Sequence, residues 1–176
     1  MTICTSGPGE RSAILVPVPE ADSIVGEWRR KCDPVARAGV PPHVTLICPW
    51  IPPAQITAEK VRELSSCLQG TKAFDFHLSH VGWFSGRVVW LAPDPVEPFL
   101  ELTAHLATCF GTPPWDDAYD EVVPHLTVAH ATDGVDLTEV ADEVQEFLPI
   151  ICRADEVRVM VGDGQEWKVR AELLLD

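Results

Sequence analysis

The feature that most constrains this chain is a short pattern written twice. Residues 41–46 read PPHVTL and residues 122–128 read VVPHLTV, so Pro-His-x-Thr-aliphatic occurs once in each half. The second histidine follows the first by 82 residues (43 to 125), and the helix starts at Thr57 and Leu137 lie 80 apart. Matching patterns at a near-constant offset predict an internal duplication with two similar α/β lobes.

The coarse periodicity agrees. Ala13–Val18 is a short apolar strand, and Ala21–Cys32 carries Ile24, Val25, Trp28 and Cys32 at helical spacing. His43–Cys48 reads as a strand that enters through two prolines and leaves at Pro49. Thr57 caps a helix running to about Leu68, and Phe74, Phe76 and Leu78 alternate as on a half-buried strand. Arg87–Ala92 is apolar on both faces, which suits a central strand. The second half repeats the order: a helix over Pro98–Phe110, a strand over Val122–Ala129, and a helix from Asp136 to Leu148 opened by an Asp136/Glu139 capping box. Glu156–Val161 and Trp167–Leu175 close the chain as a hairpin around Gly-Asp-Gly. The expected class is α+β, a single domain over 1–176 with a central cleft. Its lobes are expected at about 13–86 and 87–176, each an antiparallel-rich sheet covered by helices, with strands open to exchange between them.

On a strand, side chains two residues apart share a face. His43 and Thr45 therefore point one way while Val44, Leu46 and Cys48 pack the other. His125 and Thr127 repeat this against Leu126 and Val128. With the aliphatic residues under helices, both polar pairs look into open space, and a pseudo-twofold axis sets them face to face across a cleft. That suits phosphoester chemistry without a metal. One imidazole takes a proton from water, the other gives one to the leaving oxygen, and histidine is poised for this near neutral pH. The threonine hydroxyls donate to the non-bridging oxygens, where charge builds in the transition state.

These two stretches, GVPPHVTLICPW and DEVVPHLTVAH, resemble the motifs of the two-histidine (2H) phosphoesterase superfamily, especially its bacterial 2′-5′ RNA ligase-like members. The resemblance covers almost the whole chain. It implies a bilobal fold and metal-free action on 2′,3′-cyclic or 2′-5′ phosphodiesters. It also implies His43 and His125 as the acid/base pair and Thr45 and Thr127 as the phosphate-binding hydroxyls. A module that binds a phosphorylated nucleotide or an RNA end without turnover is the competing reading. Two intact histidines favour the enzyme, because a binder has no need of two proton-transfer groups.

Charge limits the partner. The formal net charge of −14 opposes a surface for long nucleic acid, which is gripped by phosphate neutralisation. A monomer acting on a small nucleotide or cyclic phosphate, or on an RNA end, is expected. Arg37, before the first motif, is the nearest candidate for an extra phosphate contact, with a solvated loop residue as its ordinary role. Trp83 and Phe84, and Trp115 and Tyr119 in the insertion GTPPWDDAYDE, are candidates for a nucleobase platform. Trp28 and Trp90 sit in core patterns.

The remaining chemistry-bearing residues read as structural. His77-x-Ser79 mimics the motif spacing but lacks the proline and a partner at the repeat offset. His77 and His80 have no third ligand to complete a metal site; His105 lies inside a helix and His130 ends a strand on its apolar face, and both read as structural. Neither a metal nor a cofactor is expected. The six cysteines (Cys4, Cys32, Cys48, Cys67, Cys109, Cys152) form no C-x-x-C pair and sit in apolar segments. Buried thiols in a reducing cytoplasm are expected rather than disulfides. The N-terminal dozen residues are polar, unlike a secretory signal, and the run AILVPVP is too short to span a membrane. Nine arginines against four lysines, with abundant Ala, Val and Pro, point to a bacterial genome of high GC content.

Overall fold

The computed structural model describes residues 10–113 and 122–176. Two four-stranded antiparallel sheets organise it. The first contains β1 (Arg11–Pro17), β2 (His43–Ile47), β7 (Glu156–Gly162) and β8 (Trp167–Leu174), in the order β2-β1-β7-β8. The second contains β3 (Phe74–Phe84), β4 (Val88–Asp94), β5 (Leu126–His130) and β6 (Ile150–Ala154), in the order β5-β4-β3-β6. The two orders correspond: a motif strand at one edge, its long partner next, then two further strands. The sheets do not divide at the midpoint of the chain. The C-terminal hairpin β7–β8 completes the sheet of the first motif, and β3 joins the sheet of the second.

Helices α1 (Asp22–Cys32), α2 (Pro34–Arg37), α3 (Ala58–Leu68), α4 (Glu97–Phe110) and α5 (Leu137–Gln145) complete the fold. Their starts follow capping chemistry. The Asp33 carboxylate accepts from Val35 N at 3.1 Å with Pro34 at the first helical position, and the Thr57 hydroxyl accepts from Lys60 N at 3.2 Å. Asp136 caps α5 by accepting from Thr138 N at 2.8 Å. Each such side chain satisfies one of the amides that a helix start leaves unpaired. One apolar core runs through both sheets, from Ile14, Val44 and Leu46 to Leu91, Leu126 and Val128.

Three local expectations change. The helix expected to reach Leu148 stops at Gln145. The next segment forms β6, paired to β3 from Phe74↔Ala154 to Leu78↔Ile150. The adjacent Ile150 and Ile151 hide its alternation, since Ile150 is buried while Ile151 is 73% exposed. The strand of the second motif starts at Leu126 rather than Val122.

The cysteine expectation holds for Cys32 and Cys152, which are buried free thiols, and fails for Cys48, Cys67 and Cys109, while Cys4 lies outside the described residues. Cys67 in α3 and Cys109 in α4 form a disulfide across 42 residues, their Cα atoms 6.6 Å apart, and Cys48 is disulfide-bonded as well. The reason is tertiary: packing brings the final turns of two helices side by side, which no local spacing announces. Among the described residues, no helix is long and apolar enough to cross a membrane.

Candidate functional site

The two motif strands alternate as their sequence requires. In β2, Val44 and Leu46 are fully buried in the common core while His43 and Thr45 on the other face are half-buried. In β5, Leu126 and Val128 are fully buried and Thr127 is half-buried. His125, just ahead of β5, is 8% exposed. The strands β2 and β5 lie against one another between the sheets, close enough for the charge of His125 to act on His43.

The histidines are held in the same way. The His43 Nδ1 lies 2.7 Å from the Pro41 carbonyl oxygen, and the His125 Nδ1 lies 2.7 Å from the Val123 carbonyl oxygen. A carbonyl only accepts, so each Nδ1 carries the proton and each neutral ring keeps its lone pair on Nε2. Burial pushes both imidazoles down to about 4. For His43 the positive charge of Arg29 adds to the effect, while the bond to Pro41 and the charge of Asp33 oppose it. Both rings are therefore neutral at pH 7 in the free protein.

Arg29 and Asp33 were not legible as site residues. At i and i+4 on α1 they form an ion pair, Arg29 Nη2 to Asp33 Oδ2 at 2.8 Å, with side chains only 2% and 0% exposed. Arg29 also donates to the Val40 carbonyl at 3.4 Å, just ahead of the first motif. His130, which ends β5, brings its Nε2 to 3.8 Å from Asp33 Oδ1. Burial lowers its pKa and Asp33 opposes the shift. A buried pair of this kind costs desolvation, and its two opposite charges act on His43 in opposite directions, Arg29 the more strongly. Its sequence signal is only the i,i+4 spacing, which also describes exposed helix pairs.

Each motif has an aromatic neighbour, and each neighbour lies over a glycine. Beside the second motif, Trp90 is in register with Thr127 on one side and Gly82 on the other. A Cβ on Gly82 would sit 2.3 Å from the Trp90 indole. Phe84 stacks on Trp90 with centroids 4.9 Å apart and meets the His125 ring edge-on at 4.8 Å. Beside the first motif, Trp167 pairs with Gly162, where a Cβ would meet its indole at 2.5 Å. A small cavity there is lined by His43, Thr45, Val35, Val40, Leu15 and Trp167, over an apolar floor of Leu15, Val40 and Met160.

Of the aromatic candidates, Phe84 is thus brought to the second histidine. Trp83 alternates to the opposite face of β3 and is 41% exposed. Trp115 and Tyr119 lie outside the described residues. Trp90, expected only to pack, also walls the site, and Trp167 was missed because strand pairing in the final hairpin decides where it points. Arg37 is exposed and donates to the Lys31 carbonyl at 2.9 Å, closing the end of α1. His77 is exposed and lies seven residues along β3 from Phe84, about 23 Å at ordinary strand rise.

Comparison with known proteins bears on the fold and the family. The sequence profile of the 2′-5′ RNA ligase superfamily matches residues 16–166. A Bacillus cytotoxicus protein provisionally named a phosphoesterase is 31% identical over 103 residues, 57% of this chain and 58% of that protein. That match thus spans less than two thirds of the relative's length. Among solved structures, E. coli LigT complexed with 3′-AMP superposes with a TM-score of 0.62 at 20% identity, covering 95% of this chain and 98% of LigT. The Thermus thermophilus protein TT0787 gives 0.63 at 19% identity, covering 94% and 97%. At such identities the two structures speak for the fold alone, and the family rests on the profile spanning both motifs: the chain belongs to the 2′-5′ RNA ligase superfamily of two-histidine phosphoesterases.

Proposed function

We propose that this protein is a phosphodiesterase that opens a 2′,3′-cyclic nucleotide phosphate, or a related cyclic phosphate or 2′-5′ linkage, with no metal in the chemical step. The observation that carries the proposal is the mirrored setting of His43 and His125, each with Nδ1 tied 2.7 Å from a carbonyl two residues back. Two lone pairs on Nε2, on adjacent edge strands, suit an in-line displacement at one phosphorus. One Nε2 accepts the proton of the attacking water. The other, protonated by the time the substrate is bound, delivers a proton to the departing ribose oxygen. Thr45 and Thr127 donate to the non-bridging oxygens, and the charge of Arg29, which outweighs that of its partner Asp33 at His43, favours an anion there.

The substrate in this proposal is small: a nucleotide, a cyclic phosphate or the last residue of an RNA end. LigT has been crystallised with 3′-AMP, NADP+ and ATP, which supports a cleft that takes small nucleotides. Trp167 on the His43 side and the Phe84–Trp90 pair on the His125 side supply apolar walls for a base or ribose. The protein is taken to work as a monomer in a bacterial cytoplasm. A turnover screen over 2′,3′-cyclic mononucleotides, ADP-ribose cyclic phosphate and 2′-5′ dinucleotides, before and after exhaustive EDTA, tests the proposal. Hydrolysis that survives the chelator supports it. Tight binding of these compounds without turnover favours the binding module instead, and activity restored only by a divalent ion overturns the metal-free step.

A further inference from the structure

We infer that Cys67, His105 and Cys109 form a redox-gated site for a zinc-type divalent cation, closed while the two sulfurs are bonded and open once they are reduced. The three ligand atoms lie within 4.8 Å of one another. His105 and Cys109 are i and i+4 on α4, so they share one face one turn apart, and Cys67 comes from the last turn of α3. The His105 Nε2 is 3.5 Å from the Cys67 sulfur and 3.8 Å from the Cys109 sulfur. A tetrahedral zinc ion, bonded at about 2.3 Å to sulfur and about 2.0–2.1 Å to nitrogen, sets its sulfur–nitrogen edges at about 3.5 Å. Two of the three edges of such a site are therefore already close to length. Only the sulfur–sulfur edge must open.

The chemistry balances in two steps. A dithiol reductant supplies two electrons and two protons to the Cys67–Cys109 bond, giving two thiols and the oxidised, cyclic disulfide of the reductant. The cation then binds two thiolates and one imidazole, releasing two protons. The His105 Nε2 now donates to the Cys67 carbonyl at 2.8 Å. In the metal-bound state that proton moves to Nδ1 through solvent and the hydrogen bond is exchanged for the metal bond. His105 and Cys109 are exposed, so a cation reaches the site from solvent and a water completes its fourth position. Two thiolates and one imidazole select zinc-like ions over magnesium or calcium. The cluster shares no residue with the two histidine motifs, so it stands or falls apart from the proposed reaction.

Cobalt titration of the full chain tests this. Protein reduced with a phosphine, desalted without oxygen and checked for fold by circular dichroism should take up one Co2+ per chain. The spectrum should show thiolate-to-cobalt charge transfer and tetrahedral visible bands, both abolished by one equivalent of Zn2+. The oxidised protein should show neither. Loss of a direct ligand costs more than the roughly 10- to 100-fold of an outer-shell partner, so His105→Ala, which keeps both sulfurs, should weaken cobalt binding by at least about 100-fold. Reduced, folded protein without the bands overturns the inference, as does unfolding on reduction. Bands that persist in Cys67→Ser/Cys109→Ser assign the metal to other thiols and overturn it equally.

Discussion

His43 and His125 occupy equivalent positions at the starts of edge strands in two different sheets, His43 as the first residue of β2 and His125 just ahead of β5. Each ring is tied through Nδ1 to the carbonyl two residues back, at 2.7 Å in both cases, and each is pushed down to about 4 by burial. The proline of each motif precedes its histidine and is buried or half-buried. The carbonyl that fixes the ring belongs to the residue before that proline, where the chain is biased to extended geometry. The repeated Pro-His-x-Thr pattern thus encodes ring orientation as well as side-chain identity.

If the two rings share the proton transfers, each should be indispensable. His43→Ala and His125→Ala should each lower kcat/KM by about 10²- to 10⁴-fold, and the double variant should lose little more than the worse single one, since both serve one transition state. Thr45→Ala and Thr127→Ala should cost about 2–4 kcal/mol of transition-state stabilisation. His77→Ala should leave activity nearly intact. Steady-state kinetics on whichever cyclic phosphate is turned over decide the matter, and a near-normal rate in either motif-histidine variant removes that histidine from the mechanism.

The pH dependence follows from the neutral rings. In the free protein both imidazoles titrate near 4, and because they interact, the measured values belong to the pair. A bound phosphodiester stays singly negative and raises the pKa of the ring it faces. The kcat profile, which reports the complex, should therefore be a bell centred at higher pH than the kcat/KM profile, which reports the free enzyme. Coincident profiles mean that phosphate does not reach the rings. Stability moves in the same window. A histidine depressed below its ordinary 6.5 contributes fully above that pH, and its contribution is lost as pH falls through about 4. Melting temperature should drop between pH 6.5 and 5, above most carboxylate titration, and His43→Gln and His125→Gln should each flatten that slope.

How much of this was legible depends on the range of the interaction. His43 with Thr45, and His125 with Thr127, could be read directly, because two-residue alternation puts each pair on one face wherever the strand goes. Their meeting was legible only through the repeat. Arg29 and Asp33 carry charges that predict exposure, and only the packing of α1 against β5 buries them beside His43. Trp167 is placed by its pairing with Gly162, and Cys67 meets Cys109 through the packing of two helices. These are contacts between distant parts of the chain, and local periodicity has no means of expressing them.

Gly82 tests whether the aromatic wall positions His125. Its backbone is extended and tolerates a side chain, but an added methyl would overlap the Trp90 indole at 2.3 Å. Gly82→Ala must displace Trp90, and with it Phe84, which meets the His125 ring. Overpacking of this kind costs about 1–3 kcal/mol, visible as a lower denaturation midpoint. The kinetic loss should fall on kcat, because the disturbed element is a reacting ring. Gly162→Ala, which displaces Trp167 beside the His43 cavity, should fall more on KM. The same balance of kcat and KM effects in both variants would mean that the two tryptophans merely fill space.

The substrate's size can be read from salt. Many of the chain's cations are already engaged: Arg29 with Asp33, Arg153 with Asp75, Arg158 with Glu156 and Glu172, Lys60 with Glu63, and Lys168 with Glu166. Arg37 and Arg170 donate to the backbone carbonyls of Lys31 and Ile56. A long RNA approaching a chain of net charge −14 would have to break such pairs to find counter-charges. One or two phosphate contacts, made mainly through Thr45 and Thr127, are the expectation. Counterion release gives a slope of log affinity against log salt of about −0.7 per phosphate on a single strand, hence about −0.7 to −1.4 here. Apparent affinities for a cyclic mononucleotide and for an oligoribonucleotide ending in a cyclic phosphate, measured from low to high salt, should then nearly coincide. An oligomer that binds much more tightly at low salt, with a slope steeper than about −3, engages at least four phosphates, and the small-substrate proposal fails.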